Sequence, residues 1–384
     1  MFSLKPEKKY KVDLQSPSKS LWSTFKKAFI TDKNFRNFWI NLDKSNLPEE
    51  LVDVTNIFIN SKSYEWVSKF WKHLIINDYK ALSHLDKEEA FKRAALDHYT
   101  SSTFFEKKNI NETSKKLQDR KNFNLDLFKK HPNLDRYDSI SYNLTLLVMY
   151  DLALKSISEY YNDINKKYYE DYSPSIEIDN KVVNQHLILS ILEYEKIKIL
   201  TNNINSNLRF LEIGAGYGRT ANIVLSLNKK PKYIVVDIPP SIYVSRLNIQ
   251  KHYSNLKIFS AFEIKEESKM EEIIDKNDVI FIFPHQLSLL KQNSIDVTLA
   301  IGSLLEMDKK IVKRYMDIAN RLSKSIYIKV FKNSGLPFSF YQFYRSNVRS
   351  DYFINEHWEE KFHENCLVPD FLMHMGYINK NNKL

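Results

Sequence analysis

The C-terminal half of this sequence predicts an α/β fold, a parallel sheet with helices on both faces, and the first half predicts a mainly helical region that precedes it. Three observations carry this. After residue 207, short β-rich runs alternate with helical stretches. Those runs are almost wholly apolar rather than alternating, as strands buried on both faces should be. Three of the only six glycines in the 384-residue chain fall within positions 214–218, between one such run and a helical stretch.

The strand runs are Leu208–Ile213, Tyr233–Asp237, Lys257–Phe259, Val279–Phe283, Val297–Ile301 and Ser325–Phe331, with helical stretches near 219–227, 241–252, 267–275 and 308–322. Upstream the apolar spacing is three and four. Leu21, Trp22, Phe25, Ala28 and Phe29 follow the capping candidates Ser18 and Ser20, and Trp66, Val67, Phe70, Trp71, Leu74 and Ile75 repeat the pattern. A long helical stretch runs from Ile140 to Ile164, and a further helix from about Asn180 to Leu200 leads into the first strand. The Lys/Asn-rich segment 107–124 reads as a loop or exposed helix, and Pro132 and Pro174 punctuate the chain. The expected division is residues 1–179 as a mainly helical cap or specificity domain and residues 180–384 as the sheet domain.

Composition narrows the function classes. Apolar residues make 43% and aromatics 14% of the chain, enough for extended cores. The single cysteine, Cys366, excludes an internal disulfide and a cysteine zinc cluster, and suits a cytoplasmic protein. No transmembrane segment is expected, because no apolar run approaches the ~20 residues of a membrane helix. The net charge of +10 raises nucleic acid as a partner, but no dense Arg/Lys block interleaved with aromatics accompanies it, so no stable nucleic-acid complex is expected.

The glycine cluster is the chemical centre of the sequence. Leu211-Glu212-Ile213-Gly214-Ala215-Gly216-Tyr217-Gly218-Arg219-Thr220 follows a strand and opens a helix. Such a turn needs residues that accept positive φ, and a ligand lying against main chain needs absent side chains. A dinucleotide site would place its third glycine where Arg219 stands, so that pattern fails. The order is instead E-x-G-x-G-x-G, as in Rossmann-like enzymes that use S-adenosylmethionine. The next strand ends in Asp237, whose carboxylate is placed to accept both hydroxyls of a ribose.

From about residue 180 to 365 the chain resembles the sugar O-methyltransferases of bacterial polysaccharide and antibiotic-sugar pathways. The residues that carry the likeness are LEIGAGYGR (211–219), VVDIPPSIYVS (235–245), FPHQL (283–287), GSLLEM (302–307) and EHWEEKF (356–362). Ser303, Glu306 and Met307 match the family pattern after the strand 297–301, while Leu304 and Leu305 depart from it. The resemblance implies a Rossmann-like methyltransferase sheet, S-adenosylmethionine as cofactor, and a sugar or nucleotide-sugar substrate in surface polysaccharide biosynthesis.

A sugar hydroxyl needs a general base. Glu306, after the strand 297–301, and His285, after the strand 279–283, are the candidates. For the cofactor, Glu212, Gly214, Gly216, Tyr217, Asp237, Ile238, Gln286 and Ser303 are the expected contacts: Gly214 and Gly216 against the methionine portion, Tyr217 closing over it, Asp237 on the ribose, Ile238 on the adenine and Gln286 at its edge. Gln185 or His186 falls near the amino-acid end. No metal-ligand spacing such as H-x-x-x-H appears, and a divalent metal is left open, as is the oligomeric state. The competing reading is an RNA or other nucleic-acid methyltransferase, which the charge favours. It lacks support at Ile301-Gly302-Ser303-Leu304, where an N-P-P-Y-type segment would stand.

Overall fold

A computed structural model describes residues 32–84, 129–131, 136–170, 173–201, 207–332, 348–368 and 372–380. The expected helix 21–29, the segment 107–124 and Pro132 lie outside the described residues.

Among the described residues, the centre is an eight-stranded, mostly parallel sheet in the order β5-β6-β4-β3-β7-β8-β10-β9. Its strands are β3 (Arg209–Ile213), β4 (Lys232–Val236), β5 (Ile258–Ser260), β6 (Val279–Ile282), β7 (Ile295–Ile301), β8 (Ser323–Phe331), β9 (Trp358–Asn365) and β10 (Leu372–Asn379). β10 pairs antiparallel with β8 and with β9, which closes the sheet with a C-terminal antiparallel pair not marked as strands in the sequence reading. The chain order reverses at β3, which pairs with β4 on one side and β7 on the other, so the crevice above β3 is the topological switch point where α/β sheets receive ligands.

Each central strand serves two cores by simple alternation. Phe210, Tyr233, Val235, Val279 and Phe281 belong to one, and Leu211, Ile213, Ile234, Val236, Ile280 and Ile282 to the other. This is why the runs read as continuously apolar. Burying each such side chain is worth about 1.5–3 kcal/mol.

The helices fall on both faces as predicted. In chain order they are α1 (Asp32–Asn41), α2 (Glu49–Asn60), α3 (Lys69–Leu82), α4 (Arg136–Leu152), α5 (Leu154–Tyr160), α6 (Lys167–Glu170), α7 (Gln185–Thr201), α8 (Arg219–Leu227), α9 (Ser241–His252), α10 (Glu267–Lys276) and α11 (Lys309–Leu322). The first core takes in Leu187 and Ile191 of α7, Ile223 and Val224 of α8 and Ile242 and Ile249 of α9, together with Phe35, Phe58 and Tyr150 from the helical N-terminal region. The second takes Met270 and Ile274 of α10 and Ile311, Val312, Tyr315 and Met316 of α11. Asp308 starts α11 by accepting the Ile311 N–H at 3.1 Å.

Two upstream expectations are corrected. The stretch 140–164 is not one helix: α4 ends at Leu152 and α5 starts after Ala153, whose backbone (φ −99°, ψ 7°) leaves the helical path. The helix expected from Asn180 starts at Gln185, where Asn184 caps it by accepting the Leu187 N–H at 2.9 Å. Residues before it form a hairpin of β1 (Ile176–Ile178) and β2 (Lys181–Val183), turned by Asp179 and Asn180 at φ 50° and 59°, the pair of positive values that a two-residue hairpin turn demands.

Candidate functional site

The glycine turn leaves β3 at the switch point. Gly214 donates its N–H to the Val236 carbonyl at 2.8 Å, extending the β3–β4 ladder by one bond before the chain bends. Gly214, Gly216 and Gly218 have φ of 75°, 59° and 87°, values that side chains disfavour, and Gly218 stands at the N-cap of α8. Space is short as well. A Cβ on Gly214 would lie 2.5 Å from that of Ser303, and one on Gly218 would collide with the Tyr168 hydroxyl. Gly214→Ala is therefore expected to strain the turn by about 1–3 kcal/mol, lowering the urea midpoint and weakening any ligand held by the bend. Unchanged stability together with unchanged binding would show that the bend is not needed.

Asp237 follows β4 and turns its carboxylate onto this bend. Oδ2 accepts the Gly216 N–H at 2.9 Å and Oδ1 the Ile238 N–H at 2.7 Å. Burial pushes its carboxyl up to about 7, although those main-chain donors pull the other way. The side chain remains 8% exposed, and a carboxylate has more lone pairs than these bonds use, so it can still accept hydroxyls. Ile238 is half-buried beside it.

Ser303, just beyond β7, donates its hydroxyl to the Ile213 carbonyl at 2.5 Å and ties the ends of β3 and β7 together. Next to it, Gly302 (φ 78°) faces open space: a Cβ there would meet no heavy atom within 4 Å. The rim between β3 and β7 thus offers bare main chain and room. Glu306 closes the short helical turn Leu304–Glu306 that follows, which puts its backbone on this same rim; its side chain lies outside the described residues.

His285 sits elsewhere on the rim. It follows β6, and β6, β4, β3 and β7 are successive neighbours, so about 14 Å of sheet separates it from the end of β7. Its Nδ1 pairs with the Ser63 hydroxyl at 2.6 Å, and Ser63 Oγ also accepts the His285 main-chain N–H at 3.1 Å. Burial, with help from Lys62, lowers its pKa, so the ring is neutral at neutral pH. The two candidate bases thus follow different strands of the rim.

Three expected contacts turn away from the rim. Gln286 is fully buried; its Nε2 donates to the Ala261 and Ile264 carbonyls at 2.6 and 2.9 Å, and its Oε1 accepts the Phe283 N–H at 2.9 Å. It clamps the chain after β5 and has no amide hydrogen left for an adenine. Tyr217 points into the helical layer, where its hydroxyl pairs with His186 Nδ1 at 2.6 Å and the two rings stack, so it does not close over the bend. Burial holds His186 neutral.

Glu212 shares the face of Phe210 and Tyr233 rather than the rim, and it accepts the Tyr233 hydroxyl at 2.7 Å. Burial pushes its carboxyl up to about 7. The folded pKa stands above the unfolded value of about 4.3, so the folded state keeps a proton that the unfolded chain gives up. Stability from this group is full below that value and declines as pH rises towards 7. Glu212→Gln should remove the decline, gaining on the order of 3 kcal/mol over wild type at pH 8 relative to pH 4. Urea midpoints at the two pH values test this; parallel pH dependence in both proteins would refute it.

Residues outside the motifs hold the turn from behind. The Tyr168 hydroxyl from α6 and Asn248 Nδ2 from α9 donate to the Tyr217 carbonyl at 3.0 and 3.1 Å. Arg219 and Lys329 flank Glu193, which is fully buried on α7, with charged contacts of 2.7 and 2.8 Å. Burial opposes its charge, but the two cations prevail and hold its carboxyl at about 2. Tyr315 of α11 packs edge-on to Trp66 at 5.2 Å, and the Arg314 guanidinium lies 4.3 Å over the Trp66 ring. No motif marks Tyr168, Ser63 or Trp66, whose partners are distant in sequence.

Among the described residues, no group of three or more His, Cys, Asp or Glu side chains is placed to hold a metal, and no helix is long and apolar enough to cross a membrane. No family model and no curated protein matches the sequence. Solved structures give distant likenesses. Magnesium protoporphyrin IX methyltransferase from Synechocystis PCC 6803, solved with bound SAH, is 8% identical, with 60% of this chain and 99% of that one covered and a TM-score of 0.36. A SAM-dependent methyltransferase from Aquifex aeolicus is 9% identical, with 49% and 89% covered and a TM-score of 0.29. Likenesses of this strength do not identify a substrate; the Rossmann-like character of the sheet rests on its strand order and its switch point.

Proposed function

We propose that this chain is an S-adenosylmethionine-dependent O-methyltransferase that methylates a hydroxyl of a nucleotide-linked or glycan-linked sugar. The observation that carries the reading is the 2.9 Å contact between Asp237 and the Gly216 main chain, which sets an acidic strand end directly against a bare glycine bend. Those residues fit the cofactor. Gly214 and Gly216 offer main chain to its methionine portion, Asp237 accepts its ribose hydroxyls, and Ile238 lies where its adenine would pack. Ser303 supports the site by fixing the β3 and β7 ends.

When bound, S-adenosylmethionine supplies a methyl group already activated by its sulfonium. The protein then has to align the acceptor, exclude water and remove one proton. Glu306 is the proposed base, because its turn follows β7 beside the open space at Gly302. His285 follows β6, three strand positions from β7, and is proposed to line the adenine side of the rim. The sugar preference rests on the Asp237-Ile238-Pro239-Pro240-Ser241 resemblance. The helical N-terminal region is proposed to shape acceptor specificity, since Ser63 bonds His285 just after β6.

A labelled-methyl assay separates the substrate classes. Transfer to members of a nucleotide-sugar or oligosaccharide panel is expected. Transfer to RNA alone, with salt-sensitive binding, would replace the sugar reading with the nucleic-acid one.

A further inference from the structure

Ser63 stands in the short helical turn Lys62–Trp66 of the N-terminal region, 222 residues from the partner of its hydroxyl. It is fully buried, and that hydroxyl meets His285 twice. Oγ accepts the His285 main-chain N–H at 3.1 Å and lies 2.6 Å from Nδ1 of the same residue. The first contact satisfies one of the donors left open at the start of the helical turn Pro284–Leu289. The second decides where a proton sits. Among the described residues Nδ1 is the only acceptor for the Ser63 hydroxyl hydrogen, because the other hydrogen bond of Oγ is one that it accepts. A buried hydroxyl hydrogen needs an acceptor, so Ser63 donates to Nδ1 and that nitrogen is bare.

The ring is neutral, since burial and Lys62 both disfavour its charged form. A neutral imidazole with a bare Nδ1 carries its hydrogen on Nε2, which makes Nε2 a donor. Nε2 has no hydrogen-bond partner among the described residues and is not sealed from solvent, unlike the amide of neighbouring Gln286, which is spent within the fold. Strand register places this donor. Val236 pairs with Ile282, so Asp237 and Phe283 stand level at the ends of β4 and β6, and His285 follows two residues later.

We infer that Ser63 is a positioning residue for cofactor recognition, which holds Nδ1 of His285 as an acceptor and so presents Nε2–H as a fixed donor to a ring nitrogen of the adenine. The inference rests on the methyltransferase reading. Adenine carries acceptor nitrogens on its edges, so a donor at this place on the rim complements it. Ser63 touches no ligand itself and acts through the imidazole. The same tautomer removes His285 from base catalysis, because Nε2 already holds a hydrogen and Nδ1 is occupied by Ser63.

The first measurement needs no cofactor. Long-range proton–nitrogen NMR correlation of the full chain, with His285 assigned through His285→Gln, should show one imidazole form, protonated on Nε2. Ser63→Ala should release the ring into exchange between its tautomers. A wild-type signal protonated on Nδ1, or a Ser63→Ala spectrum identical to wild type, would overturn the inference. The second measurement is calorimetry with S-adenosylhomocysteine. Ser63→Ala and His285→Phe should each weaken binding about three- to tenfold, and His285→Gln, which keeps a donor, should lose less than His285→Phe. In the His285→Phe background Ser63→Ala should cost nothing further. Additive losses would mean that Ser63 does not act through the imidazole, and together with an unchanged Ser63→Ala affinity they count against the inference. Both His285 variants alter a half-buried position and keep the test open should Ser63→Ala not fold. Wild-type protein that binds no S-adenosylhomocysteine would overturn the methyltransferase reading and the adenine contact together, whereas wild-type binding that Ser63→Ala leaves intact overturns the inference alone.

Discussion

Asp237→Ala is expected to weaken S-adenosylmethionine binding by roughly 30- to 1,000-fold, equivalent to about 2–4 kcal/mol. The loss has two sources. On the proposed binding mode the ribose hydroxyls would lose a charged acceptor, and the Gly216 and Ile238 N–H groups lose the carboxylate that now holds them at 2.9 and 2.7 Å. Titration adds a second signature of the carboxylate's part in binding. Burial places the Asp237 carboxyl at about 7, and the ionised form is the better acceptor, so wild-type affinity should rise as pH climbs through 7. Below that point the ionised fraction falls about tenfold per pH unit. Asp237→Asn should bind at an intermediate level, with this dependence flattened. Calorimetry at pH 6 and pH 8 reads both effects, and a pH-independent wild-type affinity would argue against ribose recognition by this carboxylate.

Glu193→Ala should be the most destabilising single change, costing about 3–5 kcal/mol. The substitution leaves Lys329, with a side chain 5% exposed, and Arg219, 18% exposed, facing each other with nothing between them. Removing charges together is expected to be milder. Glu193→Leu combined with Lys329→Met leaves only Arg219, the more accessible of the two cations, and should unfold at a higher urea concentration than Glu193→Ala. Equal midpoints for the two variants would mean that the ionic cluster is not the source of the loss. Arg219 begins α8 directly after Gly218, so this cluster also fixes the helix that the glycine turn opens.

How far the sequence was legible follows from the range of the interactions involved. The runs at 208–213, 233–237, 279–283, 297–301 and 325–331 are readable because a strand buried on both faces must be apolar at most of its positions, a local property. Gly214, Gly216 and Asp237 were readable for a similar reason, since a bend of positive φ and an acidic strand end are each written in a few residues. Strand order is not local: nothing in Val279–Ile282 says that it slots between β4 and β5. Side-chain direction was also hidden. Gln286 turns to the Ala261 and Ile264 carbonyls, and Glu212 to Tyr233, because burial obliges each polar group to find whichever partner the fold brings near. The hairpin 176–183 is hidden in its turn chemistry, because Asp179-Asn180 suits the approach to a helix as well as a two-residue turn. Tyr168 and Ser63 were out of reach altogether, since their partners Tyr217 and His285 are set by packing of the N-terminal region on the sheet.

The direct measurement of the account is isothermal calorimetry of the full chain with S-adenosylhomocysteine, alongside NAD as a competing nucleoside. One-site binding of the thioether nucleoside in the micromolar range, with none for the dinucleotide, is the predicted result. Silence from both at millimolar concentration, or a preference for NAD, would contradict the claim that the Gly214–Gly218 bend and Asp237 form a methyl-donor site.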